Sequence, residues 1–312
     1  MRRFLAIART AVLETLAEPL SAVLFLSGFA EVHLAPAFHY HQFGEPGRLA
    51  RECGLSVLLV FGLAAAAASA IRSMVRELGN GTAAATLALA VPRSLFFAAK
   101  TAGIVAVLAV FASAAACATA LSHSSSVAAA ILVARYGGVA QAWGPGVASG
   151  AGFTISALAL AAAANRFLRV RFCVAACLML ALAQPVALAV AAWMGGNLPP
   201  HPGFFADAAS LAPAFAALTV WCAAMTALAA AVAVRFGQTA AISVTSLAAI
   251  SSFLFPVKAI LPDANMFWLA DALANGGSLT WCDVAPAVAA GLLVALFWTA
   301  AGAALLEGKE LQ

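Results

Sequence analysis

Residues 53–82 read CGLSVLLVFGLAAAAASAIRSMVRELGNGT, an apolar run that ends in a basic segment punctuated by glycine. Residues 53–70 carry no charge and approach the ~20 apolar residues that a membrane-spanning helix needs. The polar character continues to Lys100, after which residues 101–121 are again uncharged. This pattern predicts two membrane spans joined by a basic segment, on the side of the membrane where arginine and lysine collect.

The composition is that of a polytopic membrane protein. Hydrophobic residues make up 64% of the 312 residues, charged residues make up 9%, and the mean hydropathy is +1.01. A soluble domain carries roughly 25% charged residues. No stretch is long and polar enough for a separate soluble domain, so a single transmembrane domain over residues 1–312 is expected. The net charge of +4 is spread among short loops and gives no support for nucleic-acid binding.

The apolar runs predict an all-α transmembrane helix bundle with about eight spans. They cover residues 20–34, 53–70, 101–121, 147–164, 173–193, 213–234, 239–257 and 284–306. Residues 122–145 predict a short helix at the membrane interface. Residues 165–167 and 235–236 each end one apolar run in a basic turn and lead directly into the next, which indicates two antiparallel hairpins.

The first 18 residues predict an amphipathic helix. Its apolar residues recur at helical spacing and are Phe4, Leu5, Ala8, Val12 and Leu16. Arg2, Arg9 and Glu14 fall elsewhere around the helix. We expect this helix to lie in the lipid headgroup region with its cationic face toward anionic lipid.

The basic residues also predict the orientation. With the N-terminus inside, the interior segments hold twelve of the sixteen lysines and arginines. The exterior keeps only Arg48, Arg51, Arg135 and Lys258. This bias predicts that both termini are cytoplasmic.

Several kinds of chemistry have no support in the sequence. The phosphate-binding pattern G-x-x-x-x-G-K-[ST] is absent, so the chain is not expected to be an enzyme or to bind ATP itself. Glu31 is the only acid expected inside a span, and the third to eighth spans show no ionisable group except at their boundaries. A carrier driven by protons or sodium ions usually buries more charge.

A group of potential metal ligands lies near the predicted outer face. Glu31 could join His33, His39 and His41, because imidazole and carboxylate groups bind transition metals. A solvated loop with several histidines is the commoner arrangement. No metal site is therefore predicted, and the three histidines are the only candidates for one.

Four motifs in order resemble the ABC-2 type permease family, the membrane subunits of ATP-binding-cassette transporters. They are Phe43-Gly44-Glu45-Pro46-Gly47-Arg48-Leu49, Arg76-Glu77-Leu78-Gly79-Asn80-Gly81-Thr82, Pro92-Arg93-Ser94 and Lys100. Residues 261–273 and the ending at residues 307–311 are similar to segments of the same family. Residues 122–211 depart from the six-span pattern of the family and appear as an added helical hairpin.

The resemblance implies a division of labour. Two permease subunits would pair, as a homodimer or a heterodimer, and each would dock onto a separate ATPase that holds ATP and Mg²⁺. The docking element would be a coupling helix at about residues 72–85, inside a cytoplasmic segment covering residues 72–100. The residues that would serve it are Arg72, Arg76, Glu77, Gly79, Gly81 and Thr82. The charged side chains can form charge-assisted contacts, and the two glycines let the backbone turn or approach a partner closely. On the alternative interpretation, the arginines only fix the topology and contact lipid phosphates.

The function implied by the resemblance is ATP-driven movement of a substrate, most simply export, across a bacterial cytoplasmic (inner) membrane. Two other functions stay open at this point. One is a secondary carrier, which would need neither ATP nor a partner. The other is a membrane anchor or assembly protein that recruits an ATPase without moving a solute. The residues do not indicate a substrate.

Overall fold

The computed structural model describes residues 1–41, 45, 47–87, 91–136, 144–194, 204–254, 263–274 and 279–308, and within these ranges it contains helices, turns and no strands. The α-helices are α1 (Arg2–Ala17), α2 (Pro19–Leu34), α3 (Arg48–Val57), α4 (Leu63–Gly79), α5 (Thr82–Leu87), α6 (Arg93–Tyr136), α7 (Gly144–Leu168), α8 (Phe172–Met194), α9 (Phe204–Leu254), α10 (Ala270–Ala274) and α11 (Trp281–Glu307). A π-helical turn, Leu58–Gly62, joins α3 and α4 into one continuous segment.

Seven described segments are long and apolar enough to cross a membrane. They are Pro19–Phe38, Arg48–Gly79, Arg93–Val127, Gly150–Leu168, Phe172–Trp193, Ala209–Leu254 and Trp281–Glu307. The prediction of an all-α, multi-span membrane protein is therefore confirmed. The most enclosed stretch is residues 211–234 of the Ala209–Leu254 segment, whereas residues 238–254 are largely exposed. Helix α9 packs against α4, α6 and α11.

The α9 segment folds back on itself at Gly237. The rings of Trp221 and Phe253 are 5.8 Å apart between centroids, whereas these residues would lie about 48 Å apart along an unbroken helix at ~1.5 Å per residue. Gly237 has φ 82° and ψ −173°, a conformation that is essentially restricted to glycine. The segment therefore contains two antiparallel arms, as the basic turn at residues 235–236 predicted, and the described segments make about eight crossings.

Contacts between the ends of the helices support this path. Arg93, the first residue of α6, donates hydrogen bonds to the carbonyl oxygens of Leu306 and Glu307 at the end of α11, at 3.1 and 2.7 Å. Between these two residues α6, α7, α8 and α11 each cross once, which makes four crossings. The two helix ends therefore lie at the same end of the bundle only if α9 adds an even number of crossings. We call this end of the bundle, where α1, the end of α4, Arg93 and the end of α11 lie, the basic end.

Three predicted boundaries are wrong. Residues 71–79 are the last turns of the second span rather than part of a separate segment, because their inner face stays apolar and buried. Residues 122–136 continue the third span as helix, so the predicted interfacial helix over 122–145 is not a separate element. Helix α3 already starts at Arg48, five residues before the predicted start of the second span at residue 53.

The N-terminal helix is amphipathic as predicted, but it packs as part of the bundle. Its buried residues are Ile7, Ala11, Thr15 and Leu16. Of the predicted apolar residues, Leu16 is buried, Phe4, Ala8 and Val12 are partly buried, and Leu5 is 58% exposed. Gly103 of α6 leaves room for this contact, since a Cβ there would collide with the carbonyl oxygen of Ala8. Most of the predicted apolar face of α1 therefore packs on the bundle, mainly on α6, instead of on lipid alone.

We predict that Gly237→Ala lowers the free energy of unfolding by about 1–3 kcal/mol, because an alanine would have to adopt a backbone conformation that only glycine tolerates. The matched control is Gly152→Ala in α7, where a Cβ would meet nothing within 4 Å and the backbone is helical. The control is expected to be neutral or stabilising. Thermal unfolding of the purified protein in detergent measures both variants, and equal melting temperatures would contradict the hairpin turn.

Candidate coupling surface

A buried lysine joins three helices at the basic end. Lys100 of α6 is 2% exposed and its ammonium group contacts the carboxylates of Glu14 on α1, at 2.9 Å, and Glu77 on α4. Ser73 donates a further hydrogen bond to Glu14, at 3.2 Å, and the guanidinium of Arg76 lies 3.6 Å from the same carboxylate oxygen. We call these five residues the ion cluster. It contains two carboxylates and two cations, so its charges balance.

The sequence explains why these groups meet. Ser73, Arg76 and Glu77 occupy neighbouring positions on one side of α4, at the three- and four-residue spacing that places side chains on a common helix face. Glu14 lies one turn before the end of α1, close to this face. Lys100 lies about 10 Å along α6 from Arg93, and its long side chain reaches both acids.

A second ion pair ties α1 to α4. Arg72 lies 3.1 Å from the carboxylate of Glu18, the residue between α1 and α2. Its Nε also donates to the carbonyl oxygen of Ala68, at 3.3 Å. The beginning of the chain is therefore attached to α4 by two separate sets of polar contacts.

An exposed turn lies beyond the ion cluster, between α4 and α5. We call residues 79–82 the tip. Gly81 has φ +68°, which favours glycine, and a Cβ at Gly79 or Gly81 would meet nothing within 4 Å. Asn80 and Thr82 are exposed, and the hydroxyl of Thr82 donates to the carbonyl oxygen of Glu77 at 3.3 Å. After the tip, α5 runs from Thr82 to Leu87.

The predicted coupling residues therefore fall into two groups. Arg72 and Glu77 form ion pairs within the chain, and the Glu77 side chain is only 13% exposed. The side chain of Arg76 is 51% exposed, and it lies beside Gly79, Gly81 and Thr82 on the outer surface. The predicted coupling helix over residues 72–85 is not one helix, because the tip separates α4 from α5. Residues 88–90 of the predicted segment lie outside the described residues.

Sequence reasoning missed the role of Lys100 and of Glu14. Lys100 was placed in a polar segment, where a lysine is ordinarily solvated, and Glu14 was assigned to the polar face of an interfacial helix. The expectation that the third span contains no ionisable group except at its boundary is wrong, because this span starts at Arg93 and Lys100 is buried within it. The available signal was that Lys100 lies between apolar residues 95–99 and the uncharged residues 101–121. This pattern indicates that the lysine is buried.

The histidines do not converge on a metal site. His33 points into the bundle, where its Nε2–H donates to Oε1 of Gln184 at 2.8 Å, while Glu31 on the same helix is exposed. The side chains of His39 and His41 lie outside the described residues. Among the side chains that the structure describes, no group of three or more His, Cys, Asp or Glu residues is arranged to hold a metal ion.

No protein-family model, curated protein or solved structure matches this chain. The structural conclusion is a multi-span helical membrane protein with a charge-balanced ion cluster and an exposed tip at its basic end.

We predict that Lys100→Met destabilises the fold by about 3 kcal/mol, because it leaves the Glu14 and Glu77 carboxylates without their shared cation. Denaturant unfolding in detergent measures the effect. Arg9→Gln, which removes an exposed cation from α1, is the matched control and is expected to change little.

The double variant Lys100→Met, Glu77→Gln separates charge from packing. Removing the partner carboxylate should restore part of the lost stability if uncompensated charge is the cause. A Lys100→Met single variant as stable as the Arg9→Gln control would contradict the assignment of the ion cluster as a structural joint.

Proposed function

We propose that this chain is the permease subunit of an ABC transporter and that it couples ATP hydrolysis by a separate subunit to export of a substrate across a bacterial inner membrane. The observation that carries the proposal is the arrangement at the basic end. An exposed tip with polar groups stands directly on an ion cluster that connects α1, α4 and α6. The ordered motifs that resemble the ABC-2 type permease family support the same function.

The tip is suited to contact a protein partner. The tip exposes the Asn80 amide and the Thr82 hydroxyl, and the exposed Arg76 guanidinium lies beside it. The two glycines of the tip allow a partner to approach the backbone closely. Arginine forms charge-assisted hydrogen bonds with carboxylates on a partner surface. The docking surface that we propose is therefore the tip with Arg76, whereas Arg72 and Glu77 hold the tip in position from within.

The ion cluster offers a way to transmit a displacement. Force applied to the tip acts first on the end of α4, and the pairs of Lys100 with Glu77 and Glu14 pass it to α6 and α1. Arg93 on the first turn of α6 passes it on to the end of α11. On this proposal two permease subunits pair, and ATP-driven closure of the attached ATPases rocks these helices between inward-facing and outward-facing states.

The buried charges make a secondary carrier the second candidate. Ion pathways in carriers lie near the middle of the membrane and contain groups that can exchange their partners. Here the cluster lies close to one end of α6, and its charges neutralise one another within the chain. The arrangement favours a structural joint, and a requirement for ATP in transport separates the two functions.

We predict that a photo-crosslinking amino acid at Asn80 captures an ATPase subunit in native membranes, because Asn80 is exposed at the tip. The matched control places the same amino acid at Asn265, an exposed asparagine between α9 and α10. Mass spectrometry should find a polypeptide with a nucleotide-binding loop at position 80 and not at position 265. Capture from both positions, or from neither, would contradict docking at the tip.

The captured ATPase then allows a functional test. In nanodiscs that contain both subunits, Arg76→Asp should lower complex affinity about tenfold or more, because a charge-assisted contact is replaced by repulsion. Arg9→Asp on α1 is the control for a general effect of charge. Normal binding with no stimulation of ATPase activity by any solute would favour the membrane anchor over the transporter.

A further inference from the structure

A groove of about 680 Å³ lies between α2 and α3, away from the tip. The side chains that line it include Ala30, Glu31, Leu34, Phe38, Leu49 and Cys53. Its volume falls in the range of about 300–1,000 Å³ that is usual for small-molecule sites. The wall is almost wholly apolar, so the groove suits the apolar body of a ligand.

Glu31 is the only ionisable carboxylate in this wall. It lies on the exposed side of α2, whereas Phe29 and Val32 on the opposite side are fully buried. Pro19 begins this candidate span, and Glu31 lies about 18 Å along the helix from it. For a ~30 Å hydrocarbon layer that starts at Pro19, Glu31 is more than halfway through. A carboxylate at this depth is costly unless a positive charge or water stabilises it.

The described part of the chain provides no such positive charge. No lysine, arginine or histidine among the described side chains is within ion-pair distance of Glu31. Arg48 of α3 is held by Glu45 at 3.7 Å and by Glu52 at 2.8 Å. The groove therefore combines an apolar wall with one negative charge that the described side chains leave available to a ligand.

We propose that this groove binds a monovalent cationic amphiphile, that is, a molecule with one protonated amine or quaternary ammonium group and an apolar body. The cation pairs with Glu31, and the body lies against Leu34 and Phe38. A single carboxylate neutralises one positive charge but would leave a second charge of a dication unpaired. An anionic lipid would be repelled, and a neutral tail would leave Glu31 without a partner.

This site is independent of the proposed coupling function, because Glu31 and the tip lie on different elements at different depths. A binding measurement on the purified chain tests it without an ATPase. The probe is an alkyltrimethylammonium that carries a diazirine in its chain, and the comparison probe has the same chain with an uncharged maltoside head group. The full chain is held in phosphatidylcholine nanodiscs, and peptide mapping locates the labelled residues.

We expect saturable labelling of the groove residues by the cationic probe. The neutral probe should give only non-saturable background labelling. Glu31→Gln keeps the shape of the side chain and should weaken binding of the cationic probe about tenfold. Asp271→Asn is the matched control, because Asp271 is an exposed acid on α10 outside the groove. It should leave binding unchanged.

A second variant tests the groove itself. Ala30→Phe fills the space beside Glu31 while keeping its charge, and it should abolish saturable labelling. If gel filtration shows that Glu31→Gln is not folded, Ala30→Phe and the neutral probe still test the proposed site. The proposal is overturned by equal affinity in Glu31→Gln and wild type, by saturable labelling with the neutral probe, or by labels that map outside the groove. Labelling that appears only when a dimer is diluted to monomer would show that a second copy fills the groove, and it would also overturn the proposal.

Discussion

The contact of Lys100 with Glu14 and Glu77 sets the arrangement of the basic end. The three residues come from helices that are far apart in the sequence, and each charge would be costly if it were buried alone. A buried ion pair adds little net stability compared with an apolar pair, but breaking one by removing a partner costs about 3–5 kcal/mol. The cluster therefore acts mainly as a constraint. Arrangements of α1, α4 and α6 that separate these charges are excluded by their energy.

Different kinds of contact join the helices at the two ends of the bundle. At the basic end ion pairs join α1, α4 and α6, and Arg93 of α6 adds hydrogen bonds to the carbonyl oxygens at the end of α11. Toward the other end the contacts are hydrogen bonds to backbone, such as Ser122 Oγ to the carbonyl oxygen of Val32 at 2.7 Å. Between the ends, small residues allow helices to come close, and a Cβ at Gly54 would collide with Thr119. A displacement at the basic end therefore meets charged links first, and packed small residues only further into the membrane.

The sequence predicts much of the fold because burial in a membrane is a strong and simple constraint. Uncharged runs located the crossings, and the basic turn at residues 235–236 located the reversal at Gly237. Helix ends were harder to place, since residues 71–79 are polar on one face only and continue as helix along the bundle. The partner of the apolar face of α1 was not predicted, because the close approach of α6 to Ala8 at Gly103 is a tertiary contact that periodicity within α1 does not contain.

The candidate site shows the same limit more clearly. The exposed glycine turn was predictable, because Gly79-Asn80-Gly81 is a local turn pattern. The pairing in the ion cluster was not predictable, because its members are up to 86 residues apart and only Lys100, flanked by apolar residues, carries a local signal of burial.

The pairing inside the cluster also limits what a partner can bind. A partner that competed for Lys100 or Glu77 would have to break a buried ion pair and would gain little. It gains more from groups that already face outward, which are the Arg76 guanidinium and the polar groups of residues 79–82. On the proposed function, the paired charges keep the tip attached to the bundle while the tip itself remains free to bind. Attachment therefore depends mainly on Lys100 and Glu77, docking depends on residues 79–82, and Arg76 contributes to both because it contacts Glu14 while remaining half exposed.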